Sequence, residues 1–321
     1  MLNAFAPPPR RRRSRPAIAM GKIVGFPKIV GLPKALKRRR IVRDLLGLPA
    51  TLGRMGALEV RLATTKKEIR KAQRLRYKVF YTQGGAVPDR KAALTRRDIC
   101  PFDRVSDHLI VIDHAAVSKR LGIQKSRVVG AYRLLRQDVA QEGGGFYTAR
   151  EFNLAPLVAR HPGKRFLEMG RSCVLPEYRQ KRTIELLWQG IGAYIAHHRM
   201  DVLIGCASLH GCDAGALAQE LGFLHHFAGA GDEDKRDWRA APVSSRHTAM
   251  DALAKDAVDK RKALHALPPL VKAYLRCGAM VGQGAVVDRQ FGTTDVLMIM
   301  PVAAIDARYL AQFGGAIAKA A

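Results

Sequence analysis

Apolar and polar residues begin to alternate at about Leu58, where LEVRLAT reads as a half-buried strand. Thr65 and Glu68 then stand at capping-box spacing, which predicts a helix through IRKAQRLRYKVFY. Residues 82 to 106 are polar and irregular and read as a long loop. HLIVID (108 to 113) and SRVVGAYRLLR (126 to 136) predict two adjacent strands, joined by VSKRLGIQK. After GGG at 143 to 145 a short helical piece is expected near FNLAPLVAR, and RFLEMGRSCVL gives the next strand. Ile184, Leu187, Trp188, Ile191 and Ile195 form one stripe of a helix, TIELLWQGIGAYIAHH. MDVLIGCASL is a further strand, DAGALAQELGF a helix stopped by its glycine, 248 to 280 carries helical signals, and TDVLMIMPV is a last strand. This order predicts an α/β fold on one mixed sheet flanked by helices.

Two positions break the pattern. Glu168 and Arg171 lie inside a strand whose neighbours are apolar, and Arg179, Lys181 and Arg182 crowd the head of the following helix. Orphan N–H groups and the helix dipole make such a head an anion site, and the cations strengthen it.

Charge divides the chain. The formal net charge is +28, and residues 1 to 60 hold 14 Lys/Arg against Asp44 and Glu59. Prolines at 7 to 9, 16, 27, 33 and 49 argue against a packed domain there, so residues 1–57 are expected to form a basic arm and 58–321 the globular domain. Basic and apolar residues interleave in KIVGFPKIVGLPKAL and KRRRIVRDLLGL, a pattern suited to an anionic membrane surface. A disordered basic tail is the alternative. Five scattered cysteines form no Cys-x-x-Cys pair, which points to reduced thiols. No stretch is long enough to span a bilayer, and no secretory signal is evident, so a cytoplasmic protein, peripheral on the inner membrane, is expected. The histidine pairs at 197–198 and 225–226 lack metal-ligand spacing, and no metal site is expected. A nonenzymatic nucleic-acid binder would explain the charge, but the chain shows no helix-turn-helix or aromatic RNA-binding signature, and no specific nucleic acid is expected.

VLPEYRQKRTIELLWQGI resembles the strand-turn-helix of the GCN5-related N-acetyltransferase (GNAT) fold, whose turn holds the donor's phosphate. Lys181, Arg182 and Thr183 stand where the coenzyme-A version has glycines, which favours phosphopantetheine on acyl carrier protein as donor. The carrier-dependent acyl-homoserine-lactone synthases have a scattered signature that this sequence resembles: Arg76 to Phe80 (RYKVF), Asp103 and Asp107 (FDRVSDH), Arg133 (YRLLR), and Glu168 to Arg171 (EMGR). Residues 58 to 313 resemble L-ornithine N-alpha-acyltransferases more fully, in collinear blocks that include GFYTAREFNL, LEMGRSCV, LPPLVKAYLRCGAMVGQGAVVD and FGTTDVLMI.

That resemblance implies transfer of a 3-hydroxyacyl chain from acyl carrier protein to the α-amine of L-ornithine, with no resident cofactor. The runner-up is a related acyltransferase acting on another amine, such as a homoserine-lactone synthase. On the ornithine reading, Glu168 is the general base, directly or through water. Arg133 or Arg171 clamps the substrate carboxylate, and Asp103 or Asp107 reads the δ-ammonium. Arg76 either touches substrate or bridges to one of these aspartates. Backbone around Gly170 to Cys173, including Ser172 and Cys173, offers an oxyanion site at an expected bulge. Arg179, Lys181, Arg182 and Thr183 hold the phosphopantetheine. The structural alternative is that Glu168 only pairs with Arg171 or Arg133. Cys173 has no activating histidine nearby in sequence, which argues against an acyl-enzyme.

Overall fold

The structure, a computed structural model, describes residues 47–117, 122–229, 233–243, 246–306 and 309. Most of the basic arm, and with it the expected membrane contact, lies outside these residues. The sheet begins earlier than the expected domain boundary at 58: β1 (Gly53–Met55) forms a tight hairpin with β2 (Leu58–Leu62).

Thr65 caps α1 (Lys66–Tyr77), its hydroxyl accepting the Glu68 N–H while Glu68 accepts the Thr65 N–H. The helix then widens into a π-helical turn, Lys78–Gln83. The expected loop after it holds two short pieces: α2 (Arg90–Thr95), capped by Asp89, and a 3-10 turn, Pro101–Arg104. β3 (Asp107–Asp113) and β4 (Arg127–Arg136) follow as expected, and β4 runs straight into α3 (Gln137–Gly143). A 3-10 turn at Thr148–Arg150 and α4 (Leu154–Arg160) lead to β5 (Phe166–Val174).

Next come α5 (Lys181–His198), β6 (Val202–His210) and α6 (Ala218–Phe227). Gly222 does not stop α6 but lies inside it. A Cβ there would come within 2.9 Å of Val258 Cγ2, so the glycine serves close packing. The 248–280 region contains less helix than its pattern suggests. Beyond β7 (His247–Thr248) come a 3-10 turn, Lys255–Ala257, and two short helices, α7 (Lys260–Ala266) and α8 (Pro269–Arg276), before β8 (Met280–Asp288) and β9 (Thr293–Pro301).

The described strands form one nine-stranded mixed sheet in the order β1-β2-β3-β4-β5-β6-β9-β8-β7. Every pairing is antiparallel except β5 with β6, whose parallel register runs only from Phe166↔Val202 to Glu168↔Ile204. Beyond that pair the two strands part. Gly205 stands at the fork, where a Cβ would lie 2.3 Å from the Met169 carbonyl oxygen; only glycine lets the backbones come this close before separating.

Alternation along the strands sorts the sheet into two faces. Leu109, Leu134, Leu167, Met169 and Leu203 join the core that holds Leu186, Leu187 and Ile191 of α5. Leu135, Phe166, Ile204, Leu297 and Ile299 pack on the opposite side with Phe102, Phe152 and Leu157. The parting of β5 and β6 therefore connects the two faces.

Candidate active site

The side chains that bear charge converge on the Phe102 side of the sheet, around β4 and β5. Arg76, only 1% exposed, reaches off α1 to Asp98 (Nε to Oδ2, 2.8 Å) and Asp103 (Nη2 to Oδ2, 2.7 Å). Asp103 also accepts from Gln73 Nε2 at 2.9 Å and from the Cys100 N–H at 3.1 Å. Burial alone would push Asp103 up, but Arg76 outweighs it and holds the carboxyl below its usual range. His108, facing the same side, is pushed down to about 4 by burial; its neutral ring donates Nε2–H to the Asp103 carbonyl at 3.0 Å.

Arg133 and Arg171 complete the cluster on looser terms. Arg133 Nη1 is 3.7 Å from Asp103 Oδ1, and Arg171 Nε is 3.7 Å from Asp98 Oδ2, both beyond hydrogen-bond length. Their guanidinium carbons lie 4.8 and 5.1 Å from the Tyr147 ring centroid, and Arg171 Nη2 donates to the Tyr147 hydroxyl at 3.1 Å. Three guanidiniums thus face two carboxylates, a surplus of one positive charge held out of water. Arg133 Nη1 and Arg171 Nε are buried without a hydrogen-bond partner among the described residues. Such a cluster can accept an anion's oxygens.

Glu168 occupies the last parallel pair before the strands part and is 2% exposed. Among the described residues it pairs with no arginine, contrary to the structural alternative. Its Oε1 accepts the Thr148 N–H at 2.6 Å and its Oε2 the Tyr147 N–H at 2.9 Å, so the carboxylate holds the turn that carries Tyr147. Each carboxylate oxygen has a second lone pair.

The bulge expected at 170 to 173 is present. Ala131 pairs with Cys173 and Arg133 with Gly170, so Arg171 and Ser172 both face Tyr132, and Arg171 takes a left-handed φ of 54°. Ser172 hydrogen-bonds the Tyr132 hydroxyl. Cys173 is buried and its thiol is pushed up to about 12 by desolvation, which suits packing rather than nucleophilic attack.

Asp107 does not belong to this cluster. Alternation turns it to the α5 face, away from His108 and Arg133, where it accepts the Tyr194 hydroxyl at 2.8 Å. The second aspartate of the cluster is Asp98, which the sequence motif does not contain.

On the α5 face, Lys181, Arg182 and Thr183 form the first turn of that helix after Gln180, which provides no side-chain cap. Lys181 and Arg182 are exposed, and Lys181 lies 3.5 Å from Glu185. Thr183, 1% exposed, is buried, and its N–H is taken by the Gln180 carbonyl, so it does not offer a phosphate contact as expected. Arg179 turns back, and its Nε donates to the Val174 carbonyl at 3.1 Å. Beside this turn opens a groove of about 490 Å³ whose walls include Lys71, Arg74, Lys78, Lys125, Arg127 and Leu175. At the parting itself, Tyr274 of α8 lines a small cavity with Met169 and Gly205, its hydroxyl 3.1 Å from that of Tyr132.

Sequence reasoning missed Asp98, Tyr147, Tyr274 and a further set of carboxylates, Glu151, Asp288 and Asp295, gathered beyond Arg171. Glu151, Asp288 and Asp295 all lie in blocks that carried the family resemblance, but no local spacing joins them.

The family model described as an acetyltransferase (GNAT) domain matches residues 75–189, from the end of α1 to the middle of α5. The chain is 51% identical over 278 residues to an L-ornithine N(alpha)-acyltransferase of Agrobacterium fabrum, covering 87% of this chain and 91% of the relative. It is 47% identical over 275 residues to the protein of the same name from Rhizobium meliloti, covering 85% and 90%. The crystal structure of the AHL synthase LasI aligns over 80% of this chain and 95% of that one, at 12% identity and a TM-score of 0.41. With half its residues shared over nearly the full length of its relatives, the chain belongs to the L-ornithine N(alpha)-acyltransferase family, on a GNAT-type α/β fold.

Proposed function

We propose that this protein transfers a 3-hydroxyacyl chain from acyl carrier protein to the α-amine of L-ornithine, giving lyso-ornithine lipid. The observation that carries the reading is the buried arginine surplus beside the parted strands, in a chain so similar to named ornithine acyltransferases.

The donor's pantetheine enters from the α5 face and its thioester sits at the fork. Ornithine lies on the other face, its carboxylate against Arg133 and Arg171. Arg76 does not touch substrate; it fixes Asp98 and Asp103, which position the two outer arginines. Glu168, through a water on a free lone pair, takes a proton from the α-ammonium. The amine nitrogen then bonds to the thioester carbon, and backbone of the 170–173 bulge steadies the oxyanion. Collapse breaks the C–S bond; Tyr274 is the candidate to give the departing sulfur its proton, and the proton that the nitrogen sheds as the amide forms replaces it on the tyrosine.

Lys181 and Arg182, with the exposed N–H groups of the α5 head, hold the carrier's phosphate. The groove of Lys71, Arg74, Lys78, Lys125 and Arg127 suits an acidic carrier. The arm's interleaved basic and apolar residues would keep the enzyme on an anionic membrane where its product belongs. Among the described residues no helix is long and apolar enough to cross a membrane.

Incubation with 3-hydroxyacyl carrier protein and either ornithine or S-adenosylmethionine tests the reading. An amide-linked acyl-ornithine is expected. A lactone with release of methylthioadenosine, or no acyl-ornithine, overturns it.

A further inference from the structure

Glu151, Asp288 and Asp295 come from three distant stretches: the residue after the Thr148–Arg150 turn, the end of β8, and β9. One carboxylate oxygen from each lies within 4.8 Å of the others, and all three residues are buried. Two of them are partly satisfied internally. Asp288 Oδ1 accepts the N–H groups of Gln290 (2.8 Å) and Phe291 (3.1 Å), and Asp295 Oδ1 accepts the Thr293 hydroxyl (2.9 Å). Glu151 differs. It is 4% exposed, and its Oε2 has no hydrogen-bond partner among the described residues. A buried acceptor left open beside two more carboxylates is costly unless a cation with N–H donors fills the space.

The surroundings narrow the cation. Phe291, whose N–H is bound to Asp288, lays its ring 5.0 Å from the Arg171 guanidinium carbon. The acidic group thus adjoins the arginine cluster on the same face: Cys206, which hydrogen-bonds Glu151, lies 3.8 Å from the Thr148 hydroxyl, and the Thr148 N–H is bound to Glu168. One pole carries surplus positive charge and the other surplus negative charge, with the fork alongside. That polarity matches an amino acid bearing a second amine on its side chain better than it matches a bare metal ion.

We propose that Glu151, Asp288 and Asp295 form the subsite for the δ-ammonium of ornithine and set the enzyme's preference for a diamino acid. This rests on the ornithine reading above and extends it to the side-chain end of the substrate. The three carboxylates repel one another. Burial, followed by Glu151, pushes Asp295 up to about 7, and burial raises Glu151 as well, opposed by a hydrogen bond from Cys206 and, from outside, by Arg246 and Arg171. A bound ammonium relieves that repulsion.

The test compares L-ornithine with L-2-aminopentanoate, the same skeleton without the δ-amine, in wild type, Glu151→Gln and Asp295→Asn. Wild type should favour ornithine, and each substitution should lower kcat/KM for ornithine about tenfold or more while leaving 2-aminopentanoate nearly unchanged. Equal losses on both amines, or an unchanged ratio, overturn the subsite. A chelator that abolishes acylation of both amines, reversed by a divalent metal, overturns it in favour of a metal site. If wild type acylates neither amine, the ornithine reading itself has failed, and the subsite falls with it. A readout without variants guards against misfolding: ornithine should raise the thermal midpoint of wild type more than 2-aminopentanoate does, and equal shifts contradict the subsite.

Discussion

Glu168 shows what a single buried carboxylate can be asked to do. It anchors the Tyr147–Thr148 turn through two N–H donors and also sits at the last paired position before the fork. Glu168→Gln keeps the shape but turns an amide N–H₂ toward one of those donors. It is expected to lower kcat on the order of a hundredfold while the KM for the carrier stays within about threefold; unchanged turnover would remove Glu168 from the proton path. Asp295 makes a pH prediction. Burial pushes its folded pKa up to about 7, from an ordinary value of 3.8. The folded state therefore binds more protons between these values, and the ligand-free protein loses stability as pH rises through that window. Thermal scans from pH 4 to 8 should show a fall that Asp295→Asn diminishes; a variant with the same slope as wild type contradicts it. At this scale the sequence was informative where a motif kept charge in a strand, as at Glu168, Arg133 and Arg171. It could not reveal Asp98 or the 151/288/295 group, because only the tertiary fold brings them together.

Elements were legible where periodicity was clean. The Thr65–Glu68 capping box, the paired strands β3 and β4, and the stripe of α5 all appear as the pattern predicts. β8 was missed because Gly282 and Gly284 interrupt its alternation; Gly284 takes a positive φ, and the register with β9 shifts between Val281 and Ala285. Gly222 misled as a stop signal because a glycine demanded by helix packing looks the same in sequence as one that ends a helix. Asp107 misled for a related reason: a residue beside a motif on a strand faces the opposite side from its neighbour. The head of α5 carries its own prediction. Lys181→Ala with Arg182→Ala should raise the KM for the carrier several-fold and leave kcat nearly unchanged. An unchanged KM would separate this turn from phosphate binding.

At the scale of the whole molecule, the sheet separates two faces among the described residues, and its strands part between β5 and β6. On the proposed reading, donor recognition falls on the basic α5 side and acceptor recognition on the side of the buried arginines, with the fork at Gly205 between them. Charge reversal in the basic groove, such as Lys71→Glu with Arg127→Glu, should raise the carrier's KM and flatten its dependence on ionic strength; a salt profile unchanged from wild type would place the carrier elsewhere. The opposed poles on the acceptor side are expected to orient ornithine end to end, so that one nitrogen alone reaches the thioester. The most direct measurement is the position of the amide in the product, by tandem mass spectrometry of acyl-ornithine made by the purified enzyme. Acyl groups solely on the α-nitrogen are predicted; a δ-linked or mixed product would contradict the arrangement of arginines and carboxylates on which the mechanism stands.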